Sequence, residues 1–141
     1  MVKLIVTSLF LCLGASGFAQ KGTIILTVNG IQPRKGGELT AGIFIEQNFP
    51  KVGKQLIGQE KPINGTQMQL TFANVPVGKY GLVAFQDIDR NKLLKTNFLG
   101  FPTEPIGFSN GAKIKLGPPA FSDAQITVEA DKTLSLTITL N

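Results

Sequence analysis

The run Tyr80-Gly81-Leu82-Val83-Ala84-Phe85 is apolar on both of its alternate faces. Successive side chains of a β-strand point to opposite sides of the sheet, so a strand of this kind is wetted on neither side and lies centrally. On its amino-terminal side, Val75-Pro76-Val77-Gly78 carries turn chemistry. Before that turn, Gln67 to Phe72 alternates cleanly, with Met68, Leu70 and Phe72 facing in and Gln67, Gln69 and Thr71 facing out. Asn64-Gly65 is the strongest short-range hairpin signal in the chain. It follows a weaker strand within Lys54 to Ile63, where Pro62 points to a sheet edge.

Further out, Thr23 to Val28 is a β-branched run closed by Asn29-Gly30, and Glu38 to Ile45 sets Leu39, Ala41, Ile43 and Ile45 on one face. At the other end, Ala124 to Glu129 and Thr133 to Leu140 form a last pair, with Leu134, Leu136, Ile138 and Leu140 facing in. No window has a helical period; Lys51 to Leu56 has room for a single turn. About seven short strands with turns between them predict an all-β chain folded as a β-sandwich. Tyr80, shortly after Pro76-Val77-Gly78, matches the tyrosine corner of Greek-key sandwiches, a structural role.

Residues 1–19 read as a secretory signal peptide. Lys3 gives the positive start, Leu4 to Leu13 the apolar run, and Gly17-Phe18-Ala19 the small residues before cleavage. The run is shorter than the ~20 residues of a membrane span. Residues 20–141 then form one domain of a size that buries roughly two-thirds of its unfolded surface. No other long apolar run follows, so the mature chain is expected to have no membrane span. The sole Cys, Cys12, falls in the leader and the chain has no His. That removes disulfides, Cys/His zinc sites, Cys nucleophiles and Ser-His-Asp triads from the mature chain. The net charge of +5 drops to +4 without Lys3 and is dispersed along the chain. With no Trp and a single Tyr, this is a solvated basic surface and not a nucleic-acid interface.

Between the central strand and the last pair, Thr96 to Phe121 reads TNFLGFPTEPIGFSNGAKIKLGPPAF. Phe98, Phe101, Phe108 and Phe121 sit among Pro102, Pro105, Pro118, Pro119 and four Gly. Flexible linkers lack such aromatics, and long connections inside compact domains are often functional. One long ordered loop is therefore predicted. The NFLGFP, GFSNGA and GPPAF elements, with the upstream VPVGKYGLVAFQDID, resemble a bacterial family of exported domains known as domain of unknown function 2141. The resemblance covers nearly the whole mature chain and implies an immunoglobulin-like or transthyretin-like sandwich in the bacterial envelope. It brings no established catalytic or binding residues. Family members often carry a Gly and a further acid in the run before NFLG; here Lys92 and Lys95 stand in those places.

Two constellations could carry chemistry. Asp87, Asp89 and Asn91 give D-x-D-x-N, the opening of a calcium-loop pattern, and are the candidate metal ligands. Position six is Lys92 and position twelve is Phe98, where an EF-hand has Gly and Glu, so a polar turn is the plainer reading. No other cofactor is indicated. As an acid–base pair the same residues lack a nucleophile or any sign of a perturbed environment. In the long loop, Asn97, Phe98, Phe101, Phe108, Asn110 and Phe121 are candidate ligand contacts for an envelope glycan, peptide or protein. The competing reading is a satellite cluster in which the loop buries its own rings, and Phe lacks the polar handle that suits Tyr and Trp to half-wet surfaces. The chain is thus read as an exported, non-enzymatic binding module. A structural or assembly module of the envelope is the alternative, ahead of a hydrolase acting without His or Cys. Burial of the four Phe separates the first two.

Overall fold

The computed structural model describes residues 19–141, so the leader expected over residues 1–19 lies outside the described residues apart from Ala19. Eight strands follow in order: β1 (Lys21–Asn29), β2 (Glu38–Phe44), β3 (Ile57–Pro62), β4 (Met68–Pro76), β5 (Gly78–Asp87), β6 (Ile106–Phe108), β7 (Ile126–Val128) and β8 (Thr133–Thr139). A single turn of helix, α1 (Phe121–Ala124), precedes β7. One sheet has the order β4-β1-β8. The other has the order β3-β2-β5-β6, with β7 also paired to β5. The protein is a β-sandwich.

β6 and β7 pair with successive stretches of β5: Val83 to Phe85 for β6 and Gly78 to Tyr80 for β7. In the smaller sheet β1 is antiparallel to β4 and parallel to β8. The strands expected from alternation are present, and Pro62 sits at the edge of the larger sheet, where a missing N–H costs no ladder bond.

Partner choice departs from the sequence reading in two places. Asn64-Gly65 does not close a hairpin: β3 and β4 lie in different sheets, so the turn carries the chain across the sandwich. The turn before β5, for which the sequence predicts no pairing, also crosses between the sheets. β7 and β8 do not pair with each other, for β7 joins β5 and β8 joins β1. In each case the turn is where local chemistry places it, but its strands find partners through burial. β6 is the strand beyond the seven expected, three residues long and set in the Pro/Gly-rich loop.

Two apolar clusters fill the fold. The larger lies between the sheets and takes Ile24, Leu26 and Val28 of β1, Leu70 and Phe72 of β4, Leu39 and Ile43 of β2, and Tyr80, Leu82 and Ala84 of β5. The opposite face of β2 and β5, bearing Phe44, Val83 and Phe85, is covered by a second cluster with Phe49, Ile106, Phe108 and Ala124. The long loop supplies much of that cover, which is why β5 is apolar on both sides. Phe49 is its hub, edge-on to Phe44, Phe108 and Phe121 with ring centroids 6.2, 6.2 and 5.8 Å away.

Tyr80 is the expected corner: its hydroxyl donates to the Pro76 carbonyl at 2.7 Å. Gln86 is fully buried and pins the β1–β2 connection. Its Nε2 donates to the Gln32 and Gly36 carbonyls, and its Oε1 accepts from the Gln32 N–H.

Candidate functional site

The connection from β5 to β6 begins at Asp87, the last residue of β5, where the chain leaves the ladder and its backbone needs new partners. Side-chain oxygens supply them. The Lys92 N–H donates to Asp87 Oδ2 at 2.7 Å, and the Asn91 N–H to Asp89 Oδ1 at 3.2 Å. The Leu93 N–H donates to Asn91 Oδ1 at 2.9 Å. Arg90 and Lys92 take left-handed backbone conformations, φ +57° and +64°, to make this double turn. Glu104, at the far end of the connection, accepts from the Ile88 N–H through Oε1 and the Lys95 N–H through Oε2, both at 3.0 Å. One acid thereby clamps both ends of the loop.

Asp87 and Glu104 are buried and Asp89 is exposed. One oxygen from each lies within 4.8 Å of the others. Burial holds the Asp87 carboxyl above its ordinary range. The Lys92 N–H opposes that rise, and the carboxylates of Asp89 and Glu104 beside it add to it. Asp87 Oδ1 is buried and has no hydrogen-bond partner. Lys92 Nζ turns outward to Glu60 at 3.1 Å in an exposed ion pair. The acidic pair expected at Asp87 and Asp89 is therefore a trio, and Glu104 is the member that spacing did not reveal. Asn91 spends its oxygen on the turn.

Beyond the clamp, residues 95–103 form a narrow β-like finger. The Thr103 N–H reaches the Lys95 carbonyl at 2.8 Å and the Asn97 N–H reaches the Phe101 carbonyl at 2.8 Å. Asn97 folds back on its own tip, its Oδ1 accepting from the N–H groups of Leu99 and Phe101. The tip carries Phe98, 95% exposed, and Leu99, 66% exposed. Opposite, residues 112–118 raise a second loop with Leu116 at its apex, fully in solvent. Between finger and loop lies an apolar groove of about 430 Å³, walled by Leu94, Leu99, Phe101, Ile114, Leu116 and Pro118, with Lys51 at its rim.

The six candidate contacts divide. Phe101 is exposed and walls the groove, whereas Phe98 is exposed at the finger tip next to Leu99 and is not a groove-lining residue. Phe108 is 5% exposed and Phe121 is half-buried, both packed in the second cluster, though a face of Phe108 reaches the groove floor. Asn97 shapes the finger. Asn110 (φ +58°) donates from Nδ2 to the Gln125 carbonyl at 2.6 Å and ties α1 to the loop. Beside it, buried Ser109 accepts from the Leu82 N–H and donates to the Ala124 carbonyl, joining β5 to α1. The GFSN element is thus largely an internal brace.

The family model described as "Uncharacterized protein conserved in bacteria (DUF2141)" matches residues 26–135. The chain belongs to this family. The matched span holds the carboxylate trio, the finger and the groove-forming loop, so all three lie within the family's domain. No curated protein and no solved structure matches the chain. Among the described residues, no helix is long and apolar enough to cross a membrane.

Proposed function

We propose that this DUF2141 domain is an exported, non-enzymatic binding module of the cell envelope, whose groove takes an apolar peptide segment with acidic flanks. The observation that carries the reading is the exposure of Leu99, Phe101 and Leu116 around one apolar groove, with Phe98 exposed on the same finger, in a domain whose remaining described aromatic rings pack into two clusters. Contiguous apolar surface of this kind marks contact sites. The volume lies within the range of ligand pockets, roughly 300–1,000 Å³. Lys51 at the rim, with Lys95, Lys113 and Lys115 exposed on the two loops, complements acidic groups beside the apolar segment. None of the three clustered carboxylates lines the groove, so they offer no acid or base to a ligand held there.

A panel of short synthetic peptides tests this: Phe/Leu segments flanked by Glu, the same segments flanked by Lys, and scrambled polar controls. The Glu-flanked segments are expected to bind best. Truncating a contact at the centre of an interface typically costs over ~1 kcal/mol, so Leu99→Ala or Leu116→Ala, both in the groove wall, is expected to weaken them at least about fivefold. Both side chains are exposed, so stability stays within ~0.5 kcal/mol. Binding only to anionic vesicles or to envelope glycans, or equal affinity in both variants, would overturn the reading.

Export rests on the leader-like pattern of residues 1–19. Amino-terminal sequencing of the chain recovered from expressing bacteria is expected to begin at Gln20; retention of Met1 on the folded protein counts against export.

A further inference from the structure

We propose that Asp87, Asp89 and Glu104 bind one calcium ion at the root of the β5–β6 connection. The site is separate from the groove and does not depend on the peptide reading. One oxygen from each carboxylate falls within 4.8 Å of the other two. Calcium–oxygen distances of about 2.3–2.6 Å put ligands on opposite sides of one ion roughly 5 Å apart, so the spacing suits shared coordination. The second observation is Asp87 itself. It has no solvent exposure, its Oδ1 lacks any hydrogen-bond partner, and it points its carboxyl into this cluster. Neither ion pair of the described residues, Lys92–Glu60 or Lys132–Glu129, involves any of the three acids. A counter-charge is what holds a buried carboxylate in its ionised form in the company of two others.

The donor set is all oxygen, which selects a hard cation, and the mature sequence has no His or Cys to favour a softer one. Several of these oxygens are already fixed by the N–H groups of Ile88, Asn91, Lys92 and Lys95. Their directions are therefore set by the loop. Calcium accepts such irregular shells, completing them with water, whereas magnesium demands a near-ideal octahedron. The site is not an EF-hand: its ligands come from the two ends of the connection. An ion there would tie the end of β5 to the approach to β6, and so brace the finger that carries Phe98.

Calcium sites of extracellular modules have dissociation constants of roughly 0.1–1 mM. The test is thermal unfolding of residues 20–141, stripped with chelator, then titrated with calcium, with magnesium, or with sodium at matched ionic strength. At about ten times the dissociation constant, calcium is expected to raise Tm by roughly 5 °C. Magnesium and sodium are expected to give less than half of that. Asp89→Asn, at an exposed position, is expected to fold normally and lose the calcium response, and Glu104→Gln to lose it too. Leu116→Ala is expected to retain it in full, which separates this site from the groove. No rise beyond the ionic-strength control, or an undiminished rise in Asp89→Asn, would overturn the proposal.

Discussion

Gly37→Ala is expected to destabilise the domain by about 3–5 kcal/mol, read as a Tm loss of roughly 10–20 °C for a domain of this size. Gly37 sits just before the first pair of the β2–β5 ladder, Glu38 opposite Asp87. Its φ is +86°, a region where an L-residue costs roughly 1–2 kcal/mol. A Cβ there would lie 2.2 Å from the Asp87 carbonyl oxygen and 2.7 Å from the Ile88 Cα. Both neighbours are backbone, and no rotamer change relieves them. The strand end must shift, and it is the strand end that presents Asp87 to Asp89 and Glu104. Gly36 is the internal control. It also has positive φ, +66°, but a Cβ there meets nothing within 4 Å. Gly36→Ala is expected to cost only the conformational share of its glycine-favouring backbone (φ +66°, ψ −155°), about 1–3 kcal/mol. Equal Tm losses in the two variants would show that the close approach of Gly37 to β5 contributes nothing.

What the sequence could show of this fold follows from the range of each signal. Alternation in β4 and β8, the two-faced run of β5, the edge Pro62 and the corner at Tyr80 are local facts, and the structure keeps all of them. Pairing is not local. Asn64-Gly65 specifies a reversal, but whether the next strand returns to the same sheet depends on which partner its apolar face leads it to; here β4 pairs with β1 in the other sheet. β6 was hidden for another reason. Three residues between Pro105 and Ser109 are too few to show a period, and their ladder to Val83, Ala84 and Phe85 is set by the cluster around Phe49. The acidic site was half-legible. Asp87 and Asp89 share a strand end and announce themselves, whereas Glu104 is a lone acid before a proline. Only its hydrogen bonds to Ile88 and Lys95 bring it back to them. Asn97 and Asn110 looked like contacts because exposed amides in loops often are, yet each is consumed by backbone groups of its own turn or a neighbouring one.

Phe108→Ala is expected to cost about 3–5 kcal/mol, the usual range for deleting a buried Phe. The ring is 5% exposed and meets Phe49 edge-on at 6.2 Å, in a cluster that includes Phe44, Phe85 and Ile106. The hole would not close readily. Its walls are two strands held in register by β2–β5 and β5–β6 pairing, and a brace through Ser109 to Leu82 and Ala124 fixes the residue next door. Phe98 differs from it in position alone: same side chain, same loop, 95% exposed. The two truncations therefore divide the quartet by job. Loss of Phe108 should lower the midpoint of urea unfolding sharply, while loss of Phe98 should leave stability within ~0.5 kcal/mol of the parent. A Phe108→Ala chain that unfolds at the midpoint of the parent would mean that the long connection rests on the sandwich without stabilising it. The second cluster would then no longer explain why β5 is apolar on both faces.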